Sequence, residues 1–130
     1  MIWAVVVFGD SSLRLLRWLK PGFRHCFVAV HTEVGWIGLD PLLHQAKLGW
    51  IPVHPDIEAH ELADHYHVHG MNTAVCIVPE PKRRVRLPMP MTCTEAVKHV
   101  LGVRRPLILT PYQLWRFLIR SNLAVYSRTR

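Results

Sequence analysis

Residues Ile2-Trp3-Ala4-Val5-Val6-Val7-Phe8 form an unbroken apolar run, mostly β-branched or aromatic. A stretch without polar alternation has no side to turn toward water, so a strand here has to be buried on both faces. Gly9-Asp10 ends it. The chain has 130 residues and is 50% apolar, enough for one domain over 1–130 with a real core, which excludes a disordered tail. The first residues lack the basic start and small-residue cleavage site of a secretory signal. No uncharged apolar run approaches the roughly 20 residues that span a bilayer, so a soluble, cytoplasmic chain without a transmembrane segment is expected.

Strand and helix signals alternate along the rest, without internal repeats. Ser11 or Ser12 can cap a helix through Lys20, with Leu13, Leu16 and Leu19 on its apolar side and Pro21-Gly22 as its stop. A strand from His25 to about His31 follows, turns through Thr32-Glu33-Val34-Gly35 and returns as Trp36-Ile37-Gly38-Leu39-Asp40. Pairing across that turn brings Asp40 back beside His25. Ala46 to Val53 reads as a strand, Asp56 to about His67 as a helix stopped by Gly70, and Thr73 to Val78 as a strand. Pro79, Pro81, Pro88 and Pro90 bracket a solvated basic connector, Lys82-Arg83-Arg84-Val85-Arg86. Two helices then start on capping-box spacings, Thr92-Cys93-Thr94-Glu95 and Thr110-Pro111-Tyr112-Gln113, the second with Pro at its first position. Gly102 closes the first. Ala96, Val97, Val100 and Leu101 form its apolar face, leaving Glu95, Lys98 and His99 on the polar side.

That capping register puts Cys93 at the first helical position, its side chain leaning toward the buried face. A sulfur there feels the positive end of the helix dipole and the free N–H groups of the first turn, both of which favour thiolate. The same turn offers an N–H to an oxyanion, as acyl transfer through a tetrahedral intermediate requires. A base is then needed. His25 at a strand end can supply it, with Asp40 to fix its tautomer and stabilise imidazolium. Cys26 alternates away from His25 and reads as core, as does Cys76; three cysteines without a spacing pattern argue against a disulfide scaffold. Trp36 and Trp50 are packing residues or the lining of a cleft.

The order of these parts resembles the circularly permuted NlpC-type papain-like fold, the group that includes lecithin retinol acyltransferase-like proteins and bacterial peptidase or amidase relatives. The resemblance rests on the Trp3 to Phe8 strand, Gly9-Asp10, the strand led by Pro21-Gly22-Phe23-Arg24-His25, the hairpin ending at Asp40 and the helix opened by Cys93. It implies an α+β fold in which an antiparallel sheet packs against the nucleophile helix, and a cysteine peptidase, amidase or acyltransferase that works through a thioester. It also implies Cys93 as nucleophile, His25 as general base and acid, and Asp40 as the polar third member, where the family often has His, Asn or Gln. No cofactor or metal is implied. Peptide or acyl substrates follow from it, peptidoglycan among them, with no specific nucleic acid. The chain lacks the secretion signal and wall-binding repeats of exported relatives, so the expected setting is the cytoplasm or a phage particle, with particle proteins as partners.

Other readings stand beside this one. Cys93 can be a small buried residue, His25 a strand end and Asp40 a turn residue before Pro41. Nine histidines are many, and His54, His60, His65, His67 and His69 cluster closely enough to offer zinc two or three imidazoles. If that segment is helical, His65 and His69 stack at i, i+4. His60-Glu61-Leu62-Ala63-Asp64 nevertheless misses the zinc-protease pattern, with Asp64 where the second ligand belongs. The formal charge of +7 suits an anionic partner. Arg14, Arg17 and Lys20, the 82–86 run and Arg104-Arg105 could grip phosphates, or the first helix with Trp18 could lie on a membrane surface. No nucleic-acid fold signature accompanies them.

Overall fold

The computed structural model describes residues 2–11, 17–41, 46–78 and 92–129. Among the described residues six strands form one antiparallel sheet: β1 Ile2–Gly9, β2 His25–Thr32, β3 Gly35–Pro41, β4 Ala46–Trp50, β5 Asn72–Val78 and β6 Ala124–Arg128. Their spatial order is β4-β3-β2-β1-β5-β6. Three helices pack on it, α1 Ala59–Val68, α2 Cys93–Leu101 and α3 Pro111–Arg120. The molecule is therefore α+β, and the fully apolar strand β1 takes an interior place between β2 and β5.

Both faces of β1 are covered. Val5 and Val7 meet Ala59, Leu62 and Ala63 of α1, together with Ala29, Trp36 and Val75. Ala4, Val6 and Phe8 meet Val97 and Leu101 of α2 and Leu114, Trp115 and Leu118 of α3, together with Cys26, Val28 and Cys76. An alternating pattern on β1 could not have served two hydrophobic layers. Phe8 and Trp115 meet edge to face at 5.4 Å, and Phe23 packs on Phe8, Trp115 and Tyr112 at 5.2–5.7 Å. These rings anchor the segment that leads into β2.

Asp10, just beyond β1, holds the same segment from the polar side. Its Oδ1 accepts from the Gly22 N–H at 2.7 Å and from the Arg24 guanidinium at 3.1 Å, while the Arg24 N–H donates to the Gly9 carbonyl at 2.9 Å. Gly22 has φ +84°, a conformation that suits a residue without Cβ. His25 is thus delivered to the start of β2 by a fixed turn.

Several elements differ from expectation. The helix expected from Ser11 or Ser12 to Lys20 falls largely outside the described residues, and Arg17 to Leu19 lie in turns. The basic connector 82–86 also lies outside them. The strand expected to run from Ala46 to Val53 stops at Trp50; the Ile51 N–H still donates to the Trp36 carbonyl at 2.8 Å in the β3–β4 register, and the chain then bends, the Val53 N–H donating to the Ile51 carbonyl at 2.8 Å. Helix α1 starts at Ala59, not Asp56, because Pro55 and Asp56 make a turn; Glu61 accepts from the Glu58 N–H at 3.3 Å and sets the start there. Strand β6 was not anticipated. It is a short edge strand, mostly half-buried or exposed, so it carries little apolar signal.

The capping-box spacing at α3 is realised in full, with Pro111 in the first turn. At α2 only half of it forms. Thr92 Oγ1 accepts from the Glu95 N–H at 3.1 Å, but the Glu95 carboxylate is taken by Lys98 Nζ at 2.7 Å. Lys98 is correspondingly not on an exposed polar face: it is 3% exposed, and its ammonium also donates to the Ile108 carbonyl at 3.0 Å. The chain between α2 and α3 supplies that acceptor, so a charge that periodicity assigns to solvent is buried and paired. Gly102 closes α2 with φ +73°.

Phe8→Ala should destabilise the protein by about 3–5 kcal/mol, since it removes a fully buried ring from the aromatic cluster. Urea unfolding measures this; a loss under about 1 kcal/mol would mean that the cluster does not hold α3 to the sheet.

Candidate functional site

Three elements converge at the mouth of α2. Thr92 caps the helix and fixes Cys93 as its first residue. Cys93 is half-buried and packs against the core layer that α2 shares with β2. His25 is the first residue of β2, and Asp40 is the penultimate residue of β3. The ladder pairs Val28 with Leu39, so Asp40 reaches His25 diagonally across the hairpin. The contact is close: His25 Nε2 lies 2.7 Å from Asp40 Oδ1. With Nε2 donating to the carboxylate, Nδ1 is the ring nitrogen left for a second partner.

That partner is the Cys93 sulfur. Its hydrogen bond to Cys93 is the largest influence on His25, and together with the Asp40 carboxylate it outweighs burial and raises the imidazole from 6.5 to about 9. Cys93 moves the opposite way. Hydrogen bonding by the Cys26 thiol is its largest influence, aided by His25 and by a backbone hydrogen bond from Cys26, and these bring it from 9.0 to about 4 against the effect of burial. Between those values the favoured state is a thiolate facing an imidazolium.

Cys26 was assigned to the core alone. It is fully buried in that core, but the face it occupies is the one α2 covers, and its thiol donates to Cys93. His25 reaches the sulfur from the strand's first position and Cys26 reaches it from the sheet face, so neighbouring residues of one strand both serve it. Donation to the Cys93 thiolate, together with burial, raises the Cys26 thiol well above the ordinary range. Strand alternation alone gave Cys26's side but not its neighbour, which depends on where α2 docks. Cys76 is a plain core thiol, pushed up to about 12 by burial.

The remaining expectations resolve as follows. Trp36 is buried beside α1, its indole N–H donating to the Ile57 carbonyl at 2.9 Å, whereas Trp50 on edge strand β4 is 60% exposed. Trp36 lines a cavity of about 610 Å³ with Trp3, His31, His60 and Tyr126, on the α1 face of the sheet and away from Cys93. The segments that adjoin the site in sequence, 42–45 and 79–91, lie outside the described residues. The histidine segment is helical, and His65 and His69 do stack, with ring centroids 4.7 Å apart. His69 Nδ1 nonetheless bonds the His65 carbonyl at 2.8 Å, His67 Nδ1 the Met71 carbonyl at 3.2 Å, and His60 approaches Glu58 at 3.3 Å. Among the described residues, no three His, Cys, Asp or Glu side chains gather as metal ligands. Of the basic groups, Lys20 lies over the Tyr112 ring at 4.0 Å and Arg105 over Phe117 at 5.5 Å. Among the described residues no helix is long and apolar enough to cross a membrane.

The rate of Cys93 alkylation by iodoacetamide should be flat across neutral pH and fall only as acid approaches about 4, while Cys26 and Cys76 stay unlabelled in the folded protein. In Cys26→Ala the midpoint should move upward, toward the ordinary thiol value, because the largest influence holding it down is gone. A wild-type midpoint near 9.0 would contradict this arrangement.

No protein family, curated protein or solved structure matches this chain.

Proposed function

We propose that this chain is a cysteine-dependent hydrolase or acyltransferase of the permuted papain-like, NlpC-type kind, cleaving an amide or ester carbonyl through a thioester. The observation that carries the reading is His25 between a half-buried Cys93 sulfur and the Asp40 carboxylate, hydrogen-bonded to both, with 2.7 Å between ring and carboxylate. The sheet order and the position of α2 agree with a nucleophile helix packed on an antiparallel sheet.

In the reaction, the Cys93 thiolate attacks the substrate carbonyl carbon and the negative charge moves to its oxygen. The first-turn N–H groups of α2 that Thr92 does not cap, that of Cys93 among them, have no intrahelical acceptors and stabilise this oxyanion. The His25 imidazolium then gives its proton to the leaving amine or alcohol, and the thioester forms. Neutral His25 next takes a proton from water or an acceptor alcohol, which attacks the thioester and frees Cys93. Asp40 holds the ring with Nδ1 toward the sulfur and favours its charged form. Because His25 stays protonated up to about 9, the acid that the leaving group needs is present at neutral pH. The substrate class proposed is a peptide or acyl carbonyl, with cell-wall peptide as the first to assay and a cytoplasmic or phage-particle setting.

Cys93→Ala and His25→Ala should each lower turnover of an activated ester or amide by at least about 10²–10⁴-fold while the circular dichroism spectrum stays native. Asp40→Asn should cost less, on the order of tenfold to a hundredfold, with the alkaline limb of the pH profile moving down as the imidazolium loses its partner. Turnover retained in Cys93→Ala would sink the proposal.

A further inference from the structure

The site holds two cysteines where the proposed reaction needs one. Cys93 is half-buried and Cys26 fully buried, both belong to the layer between α2 and β2, and Cys26 hydrogen-bonds to the Cys93 sulfur through its side chain. Val28, two residues along the same face, fills its core position with hydrocarbon, whereas Cys26 puts a thiol against the Cys93 sulfur. Cys76, in the same core layer but on β5, has no such thiol contact among its influences. The third cysteine is therefore an internal control.

We propose that Cys26 is the resolving thiol of a Cys93–Cys26 dithiol, and that the pair is an oxidative modification site which closes to a disulfide when a hydroperoxide reaches Cys93. The consequence for activity rests on the nucleophile reading above; the chemistry does not.

The steps balance. The Cys93 thiolate attacks the distal oxygen of hydrogen peroxide; the S–O bond forms, the O–O bond breaks, and hydroxide leaves to be protonated as water, giving Cys93 sulfenic acid. The Cys26 sulfur then attacks the Cys93 sulfur. The S–S bond forms, the S–O bond breaks, and hydroxide departs with the Cys26 proton as a second water. Two thiols are oxidised by two electrons and one peroxide is reduced. Cys93 is the member that reacts first, being both exposed enough to meet peroxide and favoured as thiolate. Cys26 is out of solvent but already against its target, so resolution is intramolecular and competes well with a second oxidation. While the disulfide stands, Cys93 has no free sulfur for acyl transfer, and a thiol reductant restores it.

The test is peroxide titration of the purified full chain followed by intact mass and peptide mapping. Wild type should lose two hydrogens, yield a peptide pair linking Cys26 to Cys93, and return to its starting mass with dithiothreitol. Cys76→Ser should behave as wild type. Cys26→Ser should instead gain oxygen at Cys93 and proceed to a sulfinic acid that dithiothreitol does not reverse, the irreversible share of oxidised Cys93 rising at least about tenfold over wild type. Cys26→Ala, which places no hydroxyl in the apolar layer, repeats the measurement if the serine variant fails to fold. The same sulfinic share of oxidised Cys93 in wild type as in the Cys26 variants, or a disulfide that uses Cys76, would overturn the proposal. Failure of ester or amide turnover would count against the hydrolase reading alone, because every readout here is a mass.

Discussion

The first turn of α2 seated on the first two residues of β2 is the contact on which this arrangement depends. A thiolate inside a protein is costly unless donors and positive charge surround it. Here they come from three directions. The helix supplies its dipole and free N–H groups, His25 supplies charge from the end of the strand, and Cys26 supplies a thiol and a backbone hydrogen bond from its face. Move α2 by one turn along the sheet, about 5 Å, and the two that β2 supplies, from His25 and Cys26, are lost together.

The rest of the fold can be understood as what keeps that contact in register. β1 pairs with β2 over six residues, Gly9 opposite His25, so the strand that carries the imidazole cannot slide without breaking the middle of the sheet. Asp10 and the Phe8, Phe23 and Trp115 rings tie the incoming segment from its polar and apolar sides. The β2–β3 hairpin brings Asp40 to the far side of the ring. On the helix side, buried Lys98 ties Glu95 in the first turn to the Ile108 carbonyl beyond α2, so the helix is fixed along its own length as well as against the sheet.

Much of this was legible in the chain because the signals are local. An unbroken apolar run gave β1, turn residues gave the β2–β3 hairpin, and Thr92 gave the position of Cys93 within its helix. His25 and Asp40 followed from hairpin pairing alone. What escaped was set by tertiary contact. Whether Lys98 faces water depends on a loop ten residues away; whether Cys26 meets Cys93 depends on which face of the sheet α2 covers; and β6, an edge strand that buries little, has almost no pattern to read. The α1 histidines illustrate the reverse: their spacing suggested ligands, yet in place two of the rings, His67 and His69, bond to carbonyls of their own segment.

The central claim is that His25 faces a thiolate and is therefore charged at neutral pH. Titration of the His25 ring nitrogens by ¹⁵N NMR tests it most directly. The account predicts an imidazolium that persists through neutral pH and titrates near 9. A midpoint at the ordinary 6.5 would contradict the pairing of Cys93 with His25.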